Sequence, residues 1–179
     1  MAQLKELLVN DLQDLLHAEI QLITALPKMV EAANNPKLKQ AFEKHLLQTQ
    51  GHVERLRSAI DLLGEEAEPK PCKGMLGLIA EGEEAIEENE DEDDLTYDLA
   101  LIAAAQKVEH YEISGYGTAR NLARQLGERE VATLLSHTLG EEESSDYQLS
   151  ELSKPILQDA LAMNAESGSI PAKTKSQKA

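Results

Sequence analysis

Leucine recurs at intervals of three and four through the opening of the chain, at Leu4, Leu7, Leu8, Leu12, Leu15, Leu22 and Leu26, with Ala18 on the same face. That spacing predicts an amphipathic helix, because 3.6 residues per turn returns these positions to one side of the cylinder. The helix is predicted from about Gln3 to Ala33, and Pro27 predicts a kink by removing one backbone hydrogen bond. Asn34, Asn35 and Pro36 then form a turn, with proline placed to start a second helix. Its stripe is Leu38, Phe42, Leu46, Val53, Leu56, Ile60 and Leu63, and Gly64 ends it. The stretch EEAEPKPCKG, 65–74, carries two prolines and reads as a linker. Beyond it Met75, Leu78, Ile79, Ala85 and Ile86 mark a short helix within a long crossover. A third long helix is predicted from about Leu95 to Leu126 and a fourth from about Glu128 to Met163. Gly127 is the break between them, which implies a tight antiparallel hairpin.

Two hairpins with short internal connections, joined by one long crossover, describe an all-α fold, the four-helix bundle of ferritin-like topology, here with an extra short helix in the crossover. One bundle domain is expected over 1–163. The remaining 164–179 is small, polar and lysine-bearing, and is expected to be a disordered tail.

Polar residues interrupt the apolar stripes at corresponding levels. At 100° per residue, Glu19 falls inside the stripe of the first helix. His45, Thr49 and His52 fall inside that of the second, with Gln48 on its edge. Gln106 and Glu109 continue the third, flanked by Glu112 and His110. Thr138, Glu141, Glu142 and Ser145 lie in the fourth, bordered by Asp146. His17 lies across the wheel from Glu19 and reads as a surface residue or a dimer contact. His45 reads as a hydrogen-bonded core histidine, the commoner fate of an inward imidazole, and His52 as the better candidate ligand. HAEI at 17–20 recurs as HYEI at 110–113, 93 residues later, and Gln48 with His52 maps onto Glu142 with Asp146 at a separation of 94. Such matches suggest a duplicated half arranged about a pseudo-twofold axis.

Converging carboxylates need neutralising, since burying an unpaired one costs on the order of several kcal/mol. A pair of divalent metals does this most economically on facing helices, and a shell rich in carboxylate and poor in nitrogen suits iron or manganese better than zinc. The alternative is that these acids lie at helix edges and reach water.

Composition narrows the classes further. Aromatics are 3% of the 179 residues, which argues against a sheet, and the formal charge of −16 argues against a nucleic-acid partner. Ten of the fourteen residues in Glu81–Asp94 are acidic, which reads as a solvated face, with cation funnelling as the sharper alternative. MAQLKELLVNDL lacks the basic start of an export signal, and no apolar run approaches the ~18 residues of a membrane span. A cytoplasmic protein is expected, with neither membrane nor nucleic acid as partner. Cys72, the single cysteine, lies in the loop sequence PKPCKG and reads as an ordinary thiol.

The runs LALIAAAQKVEHYEISGYGT, TLGEEESSDYQL and HLLQTQGHVERL resemble the YciF/YciE type of ferritin-like bacterial stress-response proteins over residues 3 to about 160. The resemblance implies a closed four-helix bundle, a homodimer and a carboxylate-bridged dinuclear metal centre. Carried across by position, the inward acids fall on Glu19, Glu109, Glu112, Glu142 and Asp146. The second helix departs from the pattern: where the family resembles HLEET, this chain has His45-Leu46-Leu47-Gln48-Thr49, so Gln48 replaces an acid and His52 is left to supply a nitrogen. The Glu-x-x-His spacing of diiron helices is also absent from the second and fourth helices. The implied metal set is therefore Glu19, His52, Glu109, Glu112, Glu142 and Asp146, holding two iron ions, with manganese as the alternative. The implied activity is Fe(II) oxidation, or reduction of dioxygen or peroxide, in a stress response. The competing expectation is a non-catalytic helical dimer whose metal site has decayed. Leu16, Ile20 and Ile23, with Leu101, Val108 and Leu122, are the candidate dimer contacts unless the crossover covers them.

Overall fold

In the computed structural model, which describes residues 2–88 and 92–168 with side chains as far as 163, five helices follow one another. They are α1 (Ala2–Ala32), α2 (Pro36–Leu62), α3 (Lys73–Glu88), α4 (Asp94–Leu126) and α5 (Arg129–Gly168). The stop and start signals act through local chemistry. Asn35 caps α2 by accepting the N–H groups of Lys37 and Leu38 at 2.9 and 3.3 Å, and Pro36 occupies the first turn where no donor is needed. Asp93 does the same for α4 through the N–H groups of Leu95 and Thr96. Gly127 takes φ +83, a left-handed conformation that lets its N–H and that of Glu128 close the last turn of α4. Both Pro27 and Pro155 lie inside continuous helices. Helix α5 also runs past Met163, the expected end; the rest of the expected tail, 169–179, lies outside the described residues.

The long helices pack as a closed ring. α1 lies against α2 and α4, and α5 lies against α2 and α4, while α3 covers α1 and α4 from outside. Apolar side chains fill the two ends of the ring separately. Leu8, Leu12, Leu16, Leu56, Ile60, Tyr116 and Leu135 form one end, and Leu38, Phe42, Leu101, Ile102, Leu149 and Ile156 the other. Between them lies a layer of buried polar groups. A third cluster, Ala18, Leu22, Leu26, Cys72 and Met75, seats the crossover.

That seating bears on three readings. His17 is half-buried, and its Nδ1 accepts the Cys72 N–H at 3.2 Å, so it fastens the start of α3 instead of facing solvent. Cys72 is fully buried, with Sγ 2.9 Å from the Tyr111 hydroxyl, and burial pushes its thiol pKa up. Leu16 and Leu101 are fully buried within the chain, and Ile20, Ile23, Leu122 and Val108 pack onto its core clusters. The candidate dimer strips are therefore covered in part by the chain itself, wholly only at Leu16 and Leu101. No described helix is long and apolar enough to cross a membrane.

One buried acid ties the two hairpins together. Asp98 of α4 is 1% exposed and accepts the N–H groups of Asn34 and Asn35 at 2.8 and 2.7 Å, closing the α1–α2 turn from a helix distant in sequence. Replacing Asp98 with Ala strands both donors and should lower stability by about 1–3 kcal/mol. Asp98→Asn keeps one acceptor oxygen and should cost less; equal unfolding midpoints for wild type and Asp98→Ala in urea would show that this tie contributes nothing.

Candidate metal centre

Each long helix sends donors into the polar layer. Glu19 comes from α1, His45 and His52 from α2, Glu109 and Glu112 from α4, and Glu142 from α5; all are buried, and Glu19, His52, Glu112 and Glu142 are fully so. They fall into two overlapping groups, His45, Glu109, Glu112 and Glu142 in one and Glu19, His52 and Glu142 in the other. Within each, ligand-capable atoms lie within 4.8 Å of one another. Glu142 belongs to both.

The two imidazoles are held alike. His52 Nδ1 lies 3.2 Å from Glu19 Oε1 and 2.9 Å from Glu142 Oε1, while its Nε2 lies 3.0 Å from Glu141 Oε2. Arg55 clasps that same Glu141 oxygen and donates from Nε to Thr138 Oγ1 at 2.9 Å. His45 turns Nε2 toward Glu109 Oε1, at 3.4 Å, and its Nδ1 meets Ser145 Oγ at 3.1 Å. Each ring therefore has one nitrogen facing the carboxylates and the other fixed from outside. Tyr116 of α4, fully buried, donates its hydroxyl to Glu19 Oε1.

Burial dominates the electrostatics. It raises the pKa of Glu112 well above the usual carboxylate range, with the charges of Glu19, Glu142 and Glu109 adding to it, and raises Glu109 in the same way with Glu142 as chief neighbour. Burial also lifts Glu142, to about 7, although its hydrogen bond to His52 holds it down. For His52 burial opposes the charge, yet the hydrogen bonds and charges of Glu142 and Glu19 prevail and carry it up to about 10. His45 goes the other way: burial first, then the His52 charge, depress it to about 3 and leave it neutral. Both oxygens of Glu112, and Oε2 of Glu109, lack a hydrogen-bond partner. Unsatisfied acceptors this deep are costly, and here they converge on neighbouring acids.

Five of the six residues read from the sequence thus meet: Glu19, His52, Glu109, Glu112 and Glu142. Asp146 is not brought to either group. It lies one helical step beyond Ser145, toward the edge of α5, where Oδ1 accepts from Gln106 Nε2 at 2.9 Å and lies 3.3 Å from the exposed His110. His45, read as a core histidine, is inside the cluster. The relation between the halves also shifts by one residue. Gln48 is half-buried and Thr49 fully buried, so the inward counterpart of Glu142 is Thr49, at the 93-residue separation that relates Glu19 to Glu112. On that register His45 answers to Thr138 and His52 to Ser145. Tyr116, Glu141 and Arg55 were not singled out as candidates; Tyr116 lies one turn beyond Glu112 on the same face, which is the signal that marks it.

Comparison with known proteins follows the same lines. Residues 3–162 match the family described as Domain of unknown function (DUF892). The chain is 44% identical to Protein YciF of Escherichia coli (strain K12) over 153 residues, covering 85% of this chain and 91% of that protein. It superposes on the crystal structure of the E. coli stress protein YciF with a TM-score of 0.83 at 42% identity, covering 88% of this chain and 99% of that one. A ferritin-like, diiron-carboxylate protein from Bacillus anthracis str. Ames shares the fold with a TM-score of 0.66 at 21% identity, over 86% of this chain and all of that one. On the extent of these matches the chain belongs to the DUF892 family, with YciF as a relative and a ferritin-like bundle as its fold.

Proposed function

We propose that the protein is a dinuclear metal-carboxylate protein that binds Fe(II) and oxidises it with dioxygen or peroxide, as part of a stress response like that in the naming of its E. coli relative. The carrying observation is the donor inventory. Diiron bundles of this class use one Glu from each of two helices and a Glu-x-x-His pair from each of the others, four carboxylates and two imidazoles in all. Here the pairs are incomplete, as Thr49-x-x-His52 and Glu142-x-x-Ser145. The same inventory is nonetheless present: Glu19, Glu109, Glu112 and Glu142 with His45 and His52. Glu109, one turn before Glu112, supplies the carboxylate that Thr49 lacks, and His45 the imidazole that Ser145 lacks. Ser145 instead supports the His45 ring from behind.

Charge supports the same reading. Four carboxylates carry four negative charges, and two divalent ions balance them. Without metal, the proton on His52 and raised carboxyl pKa values carry that load. The fixed outer nitrogens fit as well, since metal-bound histidines usually give their second N–H to a carboxylate or another oxygen. Glu141 with Arg55 serves His52 in this way, and Ser145 serves His45. Bound metal would supply the redox chemistry. The protein's own tasks are to orient these rings, to share Glu142 between the two groups, to keep water out through the apolar ends, and to hold a proton between Tyr116 and Glu19.

Anaerobic titration should find two Fe(II) per chain, and joint replacement of Glu112 and Glu142 by Ala should abolish binding. Two ions retained in that variant, or one or fewer in the wild type, would return the chain to the reading of a structural helical protein. Glu141→Gln should weaken metal affinity by about 10–100-fold while leaving the fold intact.

A separate expectation concerns pH. A carboxyl whose pKa is raised on folding favours the fold while protonated and opposes it once ionised, so its contribution is lost as pH rises. His52, raised from 6.5 to about 10, acts in the same direction above pH 6.5, and His45, depressed to about 3, is neutral there in both states. The chelator-treated protein should therefore lose thermal stability from about pH 6.5 to about 10, the window between the ordinary and the shifted pKa of His52, with the contribution of Glu142 already spent by about pH 7. With metal in place of the protons that slope should flatten or reverse. A metal-free Tm that stays level across this range would contradict the electrostatics described for the site.

A further inference from the structure

Beside the donor cluster lies a cavity of about 50 Å³, between the crossover helix α3 and the faces of α1, α2, α4 and α5. Its inner wall includes His45, Glu109 and Ser145, which are buried or half-buried, and its outer rim includes Lys28 and Glu83. Those two exposed side chains form an ion pair at 2.5 Å that links α1 to α3 across the rim. The remaining walls are almost entirely apolar. Small residues cause the void: Ala25 from α1, Ala41 from α2, Gly82 from α3, and Ala104 with Ala105 from α4 all line it, where larger side chains would close it. Small residues along an apolar pocket give up dispersion contacts that larger ones would make, so keeping them beside the most highly charged region of the core works against stability.

Size and chemistry limit what can enter. A liquid water molecule takes up about 30 Å³, while an apolar cavity of about 150 Å³ stays dry and accepts benzene or xenon. At about 50 Å³ the cavity has room for a diatomic or a single xenon atom. Apolar walls disfavour ions and polar molecules, which would shed hydration without replacement partners.

We propose that this cavity is a binding site for dioxygen, holding it against the His45 and Glu109 side of the donor cluster and admitting it beneath α3. The proposal rests on the metal reading above, and it assigns the oxidant a place and a route. Filling the void should separate the oxidant from the metal. Ala105→Leu places added carbons in it, and Ala25→Leu fills it from the facing helix should Ala105→Leu fail to fold.

The whole protein should bind one xenon atom per chain, seen as a saturable ¹²⁹Xe chemical shift in metal-free and loaded samples alike, and the filled variants should lose it. Their Fe(II) stoichiometry should match the wild type. The dioxygen concentration that half-saturates iron oxidation should rise several-fold, while oxidation by hydrogen peroxide, a polar oxidant, should keep the wild-type rate. A wild type without a xenon site overturns the proposal and leaves the metal reading standing, as does a filled variant that loses xenon yet consumes dioxygen normally. Failure of iron to bind while xenon binds would instead overturn the metal reading, and the delivery role with it.

Discussion

Four carboxylates held inside one bundle are the constraint that the rest of the fold answers to. Removed from water, each favours its neutral form, and neighbours of like charge push in the same direction. The chain's polar contacts answer them unevenly, with His52 and Tyr116 meeting Glu19, His52 meeting Glu142 and His45 meeting Glu109. Glu112 has no hydrogen-bond partner for either oxygen, and Glu109 has none for Oε2. His52, between Glu19 and Glu142, carries the nearest countercharge. The cluster is therefore under-satisfied as the protein stands alone, while its histidines are oriented from outside.

Such a layer is tolerated because stability is drawn from elsewhere. The two apolar ends of the ring and the cluster beneath the crossover bury leucine, isoleucine and aromatic side chains on both sides of it. Full burial of one such side chain contributes ~1.5–3 kcal/mol, so a modest number of them offsets the cost of an unsatisfied polar layer. The connections are secured by polar groups of their own. Asp98 closes the α1–α2 turn, and His17, Cys72 and Tyr111 fasten the crossover, so the helices hold the donors in register without relying on the donors themselves.

The fold was legible in the sequence because its signals are local and repeated. Leucine spacing, Asn35 with Pro36, and Gly127 each act within a few residues, and the long crossover follows from what lies between them. Glu19, Glu109, Glu112 and Glu142 were legible for a related reason: a carboxylate within an apolar stripe conflicts with its own helix face. His45 was not, because an imidazole on an apolar face is compatible with an ordinary core, and only the arrival of Glu109 from α4 distinguishes the cases. Asp146 is the opposite case, since it borders the stripe closely enough that one helical step sets it against Gln106 and His110, apart from the two groups. The one-residue slip between the halves has the same origin. Gln48 and Thr49 are consecutive in sequence and about 100° apart on the wheel, and Thr49 is the buried one.

The centre ends up with two unlike surroundings. Toward α3 it is bordered by small apolar residues and a void, and toward the outer edge of α2 and α5 by Glu141 and Arg55, which are half-exposed and charged. A cation loses hydration only where oxygen atoms replace its water, which the apolar side does not offer. A nonpolar diatomic gains nothing from passing a carboxylate and a guanidinium. One donor cluster is thus bordered both by a nearly apolar pocket and by a charged pair, surroundings that favour ligands of different polarity. The positions that set this apart are Ala25, Ala41, Gly82, Ala104 and Ala105 on one flank and Glu141 with Arg55 on the other, none of them among the candidate metal donors.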